Sequence, residues 1–244
     1  MRFQFPPLLR FLAPGRCPVC EYESPARASP VCSSCTSALD ASALRAAGRC
    51  RRCFHVLASG GRCEFCHGRA VFFDEHRSLF SLSPEWRRVV HRWKYDQERA
   101  LFHAFLPALA RLVGALDSPA DDPWSVVHID SGREGYARRS FQPCQDLSRE
   151  IGRWTGMPYG AALRKTSNRQ SSNTRLGRFF RVQGSLRQTR PVPGRVLLIE
   201  DVFTTGATAN EAARILKKNG ANFVLVISLL FREDLLTDSQ VPLL

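Results

Sequence analysis

The rhythm of apolar and polar positions changes sharply near residue 70. Before it, from about residue 14, large aliphatic residues are sparse and Gly, Arg and small polar residues dominate. After it, the pattern is that of a folded α/β protein. Residues 79–82 suggest a short strand or linker, and Trp86, Val89, Val90, Trp93 and Tyr95 follow at the spacing of an amphipathic helix. Leu101, Phe105, Leu109 and Leu112 predict a second helix over about 97–116. Residues 125–129 read as a buried strand and 145–154 as a helix.

The last part of the chain is the most regular. Val196 to Ile199 is a short apolar run led by Pro193 and Gly194, residues 224–230 are another, and 209–218 between them are helical in pattern. This is a β-α-β unit and implies a parallel sheet. The linking sequence EDVFTTGAT sets Glu200 and Asp201 at the end of the first strand and a Thr/Gly turn at the start of the helix. That is the carboxyl edge, where open parallel sheets bind ligands.

The turn has the chemistry of an anion cradle. Backbone amides of Thr204, Thr205, Gly206, Ala207 and Thr208, the positive helix amino terminus and the Thr hydroxyls together suit a dianionic phosphate. Gly206 admits close backbone approach. Thr208 and Glu211 have the spacing of a capping box, and Gly220 is a helix stop. Glu200 and Asp201 can accept hydrogen bonds from two vicinal hydroxyls, so phosphate and diol together describe a ribose 5-phosphate. The plainer alternative, an ordinary polar strand-turn-helix, leaves the acidic pair beside the cradle without a reason.

Eight of the nine cysteines fall into Cys-x-x-Cys pairs: Cys17 and Cys20, Cys32 and Cys35, Cys50 and Cys53, Cys63 and Cys66. Two such knuckles supply four sulfur ligands to a tetrahedral structural Zn2+, so four knuckles make two sites. Four Cys leave no open position for water, which excludes a catalytic role for the metal. Taken in order, Cys17, Cys20, Cys32 and Cys35 form one site and Cys50, Cys53, Cys63 and Cys66 the other; an interleaved arrangement is the alternative. His55 and His67 could each replace a Cys but are expected as surface histidines. A dithiol redox role is the competing function for one pair. So few aliphatic residues in this region make metal binding the expected source of its folding free energy. Cys144 stands outside the pairs.

Composition adds two constraints. Lys and Arg outnumber Asp and Glu by 35 to 22, and the formal charge of +13 makes polyanions the natural partners. No apolar run approaches the roughly 20 residues needed to cross a bilayer, so no membrane span is expected. Pro6 and Pro7 interrupt the apolar start and no small-residue cleavage site precedes Cys17, so no signal peptide and a cytoplasmic location are expected. Leu8, Leu9, Phe11 and Leu12 read as an apolar arm. The shift in character predicts an arm and double zinc ribbon over 1–70, then a second domain over 71–244.

VLLIEDVFTTGATANEAARILKKNGA closely resembles the signature of type I phosphoribosyltransferases. With the cysteine knuckles in front and HRWKYDQERAL between, nearly the whole chain resembles the ComF family, which is linked with DNA uptake in natural competence. The resemblance implies an α/β, mostly parallel sheet of about five strands with flanking helices, preceded by the zinc-ribbon module. It implies 5-phosphoribosyl 1-pyrophosphate (PRPP) as ligand, with Mg2+ bridging pyrophosphate and ribose hydroxyls. Glu200 and Asp201 would then hold the ribose hydroxyls, and Thr204, Thr205, Gly206, Ala207 and Thr208 the 5-phosphate. Ser131, Gly132 and Arg133 fall where the pyrophosphate loop stands. Arg139 and Phe141 fit the family's Arg-Gly-Phe-Asn-Gln motif, whereas Ser140, Gln142 and Pro143 depart from it. Residues 163–186 correspond to the mobile hood, in which Gln170 and Arg178 match and Arg164, Lys165, Arg169 and Arg175 add positive charge.

Two functions of different class follow. In one, the site binds a ribose phosphate in a protein of DNA uptake, with ribbons and hood on single-stranded DNA or a helicase-type competence protein as partner. In the other, the chain is an active phosphoribosyltransferase with an unknown acceptor.

Overall fold

The computed structural model describes residues 17, 19–22, 31–41, 43–57, 61, 63, 65–67, 69–96, 98–117, 121–130, 142–166, 182, 184–192 and 194–233. The chain divides into two compact units: Met1–Ala43 with Ser83–Ala115, and Leu44–Leu82 with Leu116–Leu244. The expected boundary at residue 70 therefore falls inside the segment Leu44–Leu82.

The first unit carries α1 (Ser33–Ala41), α2 (Pro84–Tyr95), a 3-10 turn (Arg99–Ala104) and α3 (Leu106–Gly114). The expected helix over 97–116 is thus two elements, because Pro107 has no amide hydrogen to give and sits comfortably only in a helix's first turn. Ser83 caps α2 by accepting from the Trp86 amide. The buried face of α2, with Trp86, Val89, Val90 and Trp93, meets Phe105, whose ring stacks 5.2 Å from that of Trp86. Arg92 grips Glu98 through two hydrogen bonds at 2.7 and 2.5 Å and reaches Glu21 at 3.0 Å. Those contacts give Arg92 and Glu98 of HRWKYDQERAL a structural role.

The second unit is built on one sheet: β1 (Glu75–Ser81), β2 (Trp124–Asp130), β3 (Tyr159–Lys165), β4 (Leu186–Gln188), β5 (Gly194–Phe203) and β6 (Ala221–Phe231). Its order is β1-β6-β5-β2-β3-β4; every pairing is parallel except that of β3 with β4. Helices α4 (Pro143–Thr155) and α5 (Ala207–Lys218) flank it. The expected β-α-β unit is β5, α5 and β6, each longer than its apolar run. Residues 196–200 of β5 and 224–231 of β6 are buried without a break, with Val196, Leu197, Leu198, Val224, Val226 and Leu230 at 0% exposure. Continuous burial is what a parallel strand covered on both faces requires.

The sheet reverses its winding between β2 and β5. From β2 the chain steps outward to β3, then returns to place β5 on the other side of β2. A crevice opens at such a switch point, outside the carboxyl ends of the two strands.

Candidate functional site

The acidic pair and the cradle lie at that switch point. Glu200, 8% exposed, and Asp201, half-buried, lie near the carboxyl end of β5, and the cradle begins just after Phe203, where the strand ends. His128 of β2 pairs with Ile199 of β5, so Asp130 and Asp201 emerge at the same sheet edge. One carboxylate oxygen of Asp201 accepts from the Val202 amide at 2.6 Å, which fixes its rotamer.

Helix α5 begins at Ala207, with Gly206 at φ +67 as its N-cap, a residue that has no side chain to cap it. The first-turn amides of an uncapped helix lack intrahelical partners, and together with the helix dipole they attract an anion. Thr204 is exposed, Thr205 and Thr208 are half-buried, and Thr205 Oγ1 accepts from the Ala207 amide at 3.4 Å. The expected capping box does not form. Thr208 lies inside the first turn, and Glu211 is drawn away to accept from the Gly184 amide at 2.8 Å and from Arg214 twice at 2.8 Å. Burial raises Glu211, but the Arg214 guanidinium and the Gly184 amide outweigh it and hold the carboxyl below its ordinary value. Gly206 has a further reason to be glycine: a Cβ there would stand 2.5 Å from Cζ of Phe203.

At the end of β2, Asp130 accepts from Gln142 Nε2 and from Arg164 Nε, each at 2.8 Å. Gln142, noted in the sequence only as a departure from the family motif, thus holds a carboxylate at the site's edge. Behind it His128 is 3% exposed, and burial brings its ring down to about 4 despite the opposing pull of Asp130. Ser131, Gly132 and Arg133, Arg139 to Phe141, and the hood from 167 to 181 lie outside the described residues, as does the arm at 8–12.

The cysteines assemble in chain order. Sulfurs of Cys17, Cys20, Cys32 and Cys35 lie within 4.8 Å of one another, and so do those of Cys50, Cys53, Cys63 and Cys66. Tetrahedral zinc with bonds of about 2.3 Å separates its sulfurs by about 3.8 Å; the Cys20 and Cys32 sulfurs are 3.8 Å apart and those of Cys53 and Cys63 are 3.3 Å apart. All four knuckles share one backbone bond, in which the amide four residues on returns to the first cysteine's carbonyl: Glu21 to Cys17, Thr36 to Cys32, Phe54 to Cys50 and His67 to Cys63. Glu21 and Phe54, each just after a knuckle, take φ +65 and +70, a conformation that costs non-glycine residues about 1 to 2 kcal/mol. Burial raises the Cys17 thiol, but amides of Cys32, Cys20 and Val19 outweigh it and bring it to about 7; Cys66 comes down to about 6, chiefly through the Cys53 thiol. Four cysteine sulfurs in each group, at tetrahedral spacing, fit two structural zinc ions.

The second group is not held by sulfur alone. Cys53 is fully buried, in one core with Phe65, Phe73, Phe203, Phe231 and the inner face of α5. Aromatic residues here supply burial that the scarcity of aliphatics concealed. His55 is 1% exposed rather than at the surface: it stacks on Phe65 with ring centres 4.2 Å apart, and its carbonyl accepts from the Cys50 amide. His67 is exposed.

An α/β protein with an uncapped helix terminus and an acidic pair at a sheet switch point is the class defined by this geometry. No family model matches the chain. The competence protein ComFC of Streptococcus pneumoniae is 29% identical over 161 residues, 63% of this chain and 67% of that protein. The DNA utilization protein YhgH of Salmonella typhimurium is 24% identical over 221 residues, 87% of this chain and 95% of that protein. In sequence the chain is thus ComF-like over most of its length. Among solved structures, adenine phosphoribosyltransferase of Saccharomyces cerevisiae aligns with 61% of this chain and 78% of its own at 13% identity, with a TM-score of only 0.36. No helix among the described residues is long and apolar enough to cross a membrane.

Proposed function

We propose that the chain binds PRPP or a related ribose phosphate at the β5-α5 junction and serves DNA uptake or the handling of single-stranded DNA. The observation that carries the reading is the uncapped amino terminus of α5 directly following Glu200 and Asp201 at the switch point. Glu200 and Asp201 accept from the ribose hydroxyls. Amides and hydroxyls of Thr204, Thr205, Gly206, Ala207 and Thr208 hold the 5-phosphate, and Mg2+ neutralises the pyrophosphate. Ser131, Gly132 and Arg133 are proposed for that pyrophosphate. The names of the relatives, a competence protein and a DNA utilization protein, support the biological setting. The net charge of +13 supports a polyanionic partner, whether DNA alone or DNA with a helicase-type competence protein. A cytoplasmic location accords with this setting.

Titration calorimetry with PRPP and Mg2+ tests the site. Wild type binds, and Asp201→Asn binds about tenfold or more weakly, as loss of a hydrogen bond to a charged acceptor implies. No heat with wild type overturns the assignment. Oligonucleotide affinity should fall steeply with salt; an interaction indifferent to salt excludes the electrostatic model. Release of pyrophosphate with some base or amine acceptor would instead favour an active phosphoribosyltransferase.

A further inference from the structure

The second cysteine group and the phosphate cradle are joined by a continuous buried path. The carbonyl oxygen of Cys53 lies 3.0 Å from His76 Nδ1, and His76 Nε2 lies 2.8 Å from the Ser228 hydroxyl, itself 3.0 Å from that of Ser78. A carbonyl can only accept, so Nδ1 carries the ring proton and Nε2 accepts from Ser228. The ring is thereby fixed in both tautomer and orientation. His76 is 0% exposed, and its face lies on that of Phe203 with centres 3.8 Å apart and planes 17° apart. The opposite end of the path is the cradle itself, because Gly206 rests on the Phe203 ring so closely that no Cβ fits between them.

A second tie runs alongside. Asn210, in the first turns of α5, accepts from the Phe72 amide at 2.7 Å and donates to the Ala70 carbonyl at 2.9 Å, pinning the chain that leaves Cys66. Asp74, just beyond, pairs with Lys217 at 2.7 Å and accepts from the Val224 amide at 2.8 Å. Both ends of the cradle helix are therefore tied to the segment that follows the cysteines.

We propose that the second cysteine group is the structural foundation of the phosphate cradle, with His76 and Phe203 as positioning residues between them, so that order in the cradle depends on that metal centre. The proposal rests on the ribose-phosphate reading for its ligand but not for its geometry. The chain's own residues perform the coupling: Cys50, Cys53, Cys63 and Cys66, which would hold the metal, fix the Cys53 carbonyl, the carbonyl fixes His76, and His76 supports Phe203 beneath Gly206. None of the bonds and ring contacts named here involves a cysteine of the first group.

Amide hydrogen exchange over residues 203–210 reads the coupling without any ligand. In Cys50→Ser/Cys66→Ser, exchange there rises about tenfold or more and affinity for ribose 5-phosphate falls in parallel, whereas Cys20→Ser/Cys35→Ser leaves the cradle within about twofold of wild type. Equal effects from the two pairs, or none from the second, overturn the proposal. Should the second pair lose protection throughout β5 and β6, His76→Asn and Phe203→Leu decide, since both keep all eight thiols. Two zinc ions per chain with faster exchange confined to 203–210 supports the path, and unchanged exchange there overturns it. Wild type that fails to bind ribose 5-phosphate or PRPP while the exchange pattern holds rejects the ligand and leaves the coupling standing.

Discussion

Asn210 Oδ1 accepts the amide hydrogen of Phe72 at 2.7 Å, joining α5 to a segment 138 positions earlier in the chain. The amide group's other half donates to Ala70, so one side chain satisfies a backbone donor and a backbone acceptor at once. Asn210→Ala removes both bonds and should cost about 2 to 3 kcal/mol, measured as a lowered urea midpoint at unchanged slope. A loss below about 0.5 kcal/mol would show that water replaces the clamp.

Gly206→Ala meets two separate penalties. The residue at φ +67 costs about 1 to 2 kcal/mol without regard to space, and the added methyl group collides with Phe203. In a double-mutant cycle on urea unfolding, adding Phe203→Leu should recover the collision but not the backbone cost. Strict additivity of the two substitutions would disprove the contact between them.

Stability should decline in mild acid through the buried histidines, of which His128 is the simplest to isolate. Burial lowers its ring from an ordinary value of 6.5 to about 4. Between those values the unfolded chain takes up a proton that the native chain refuses. Its effect on stability is therefore nil above about pH 6.5, grows as pH falls, and is complete below about pH 4, at roughly 3 kcal/mol. His128→Phe should flatten the profile of unfolding free energy against pH across this window. Parallel profiles for variant and wild type would exclude the histidine as the cause.

Two metal ions per chain are expected by elemental analysis, and cobalt substitution should give the ligand-field bands of tetrahedral thiolate coordination. Clearly fewer than two ions per chain contradicts the double site. Chelation should lower the unfolding midpoint, because metal bound only by the native state contributes its binding free energy to folding.

Much of this architecture was legible along the chain. The runs at 196–199 and 224–230 mark β5 and β6 because parallel strands bury both faces and so read as unbroken apolar stretches. Pairs at Cys-x-x-Cys spacing announce their knuckles, since four backbone bonds of one kind close all four of them. The capping box at Thr208 and Glu211 was misleading for an equally local reason. Gly206 takes the N-cap position, which places Thr208 two residues too deep to cap, and Glu211 finds stronger partners in Arg214 and Gly184.

Local sequence thus determined the elements and the chemistry of each loop: the parallel β-α-β unit, the Thr/Gly turn with its acidic neighbours, and eight thiols in four pairs. Tertiary structure alone decided where the sheet reverses, that Asp130 emerges beside Asp201, and that His55 and His76 are buried. It also set the second cysteine group on the same core as α5. The physical reason is distance along the chain. Periodicity and spacing report interactions within a few residues, whereas the bonds from Cys53 to His76, from His76 to Ser228 and from Asn210 to Phe72 join positions 23, 152 and 138 apart. Such contacts exist only once the sheet has brought their strands together.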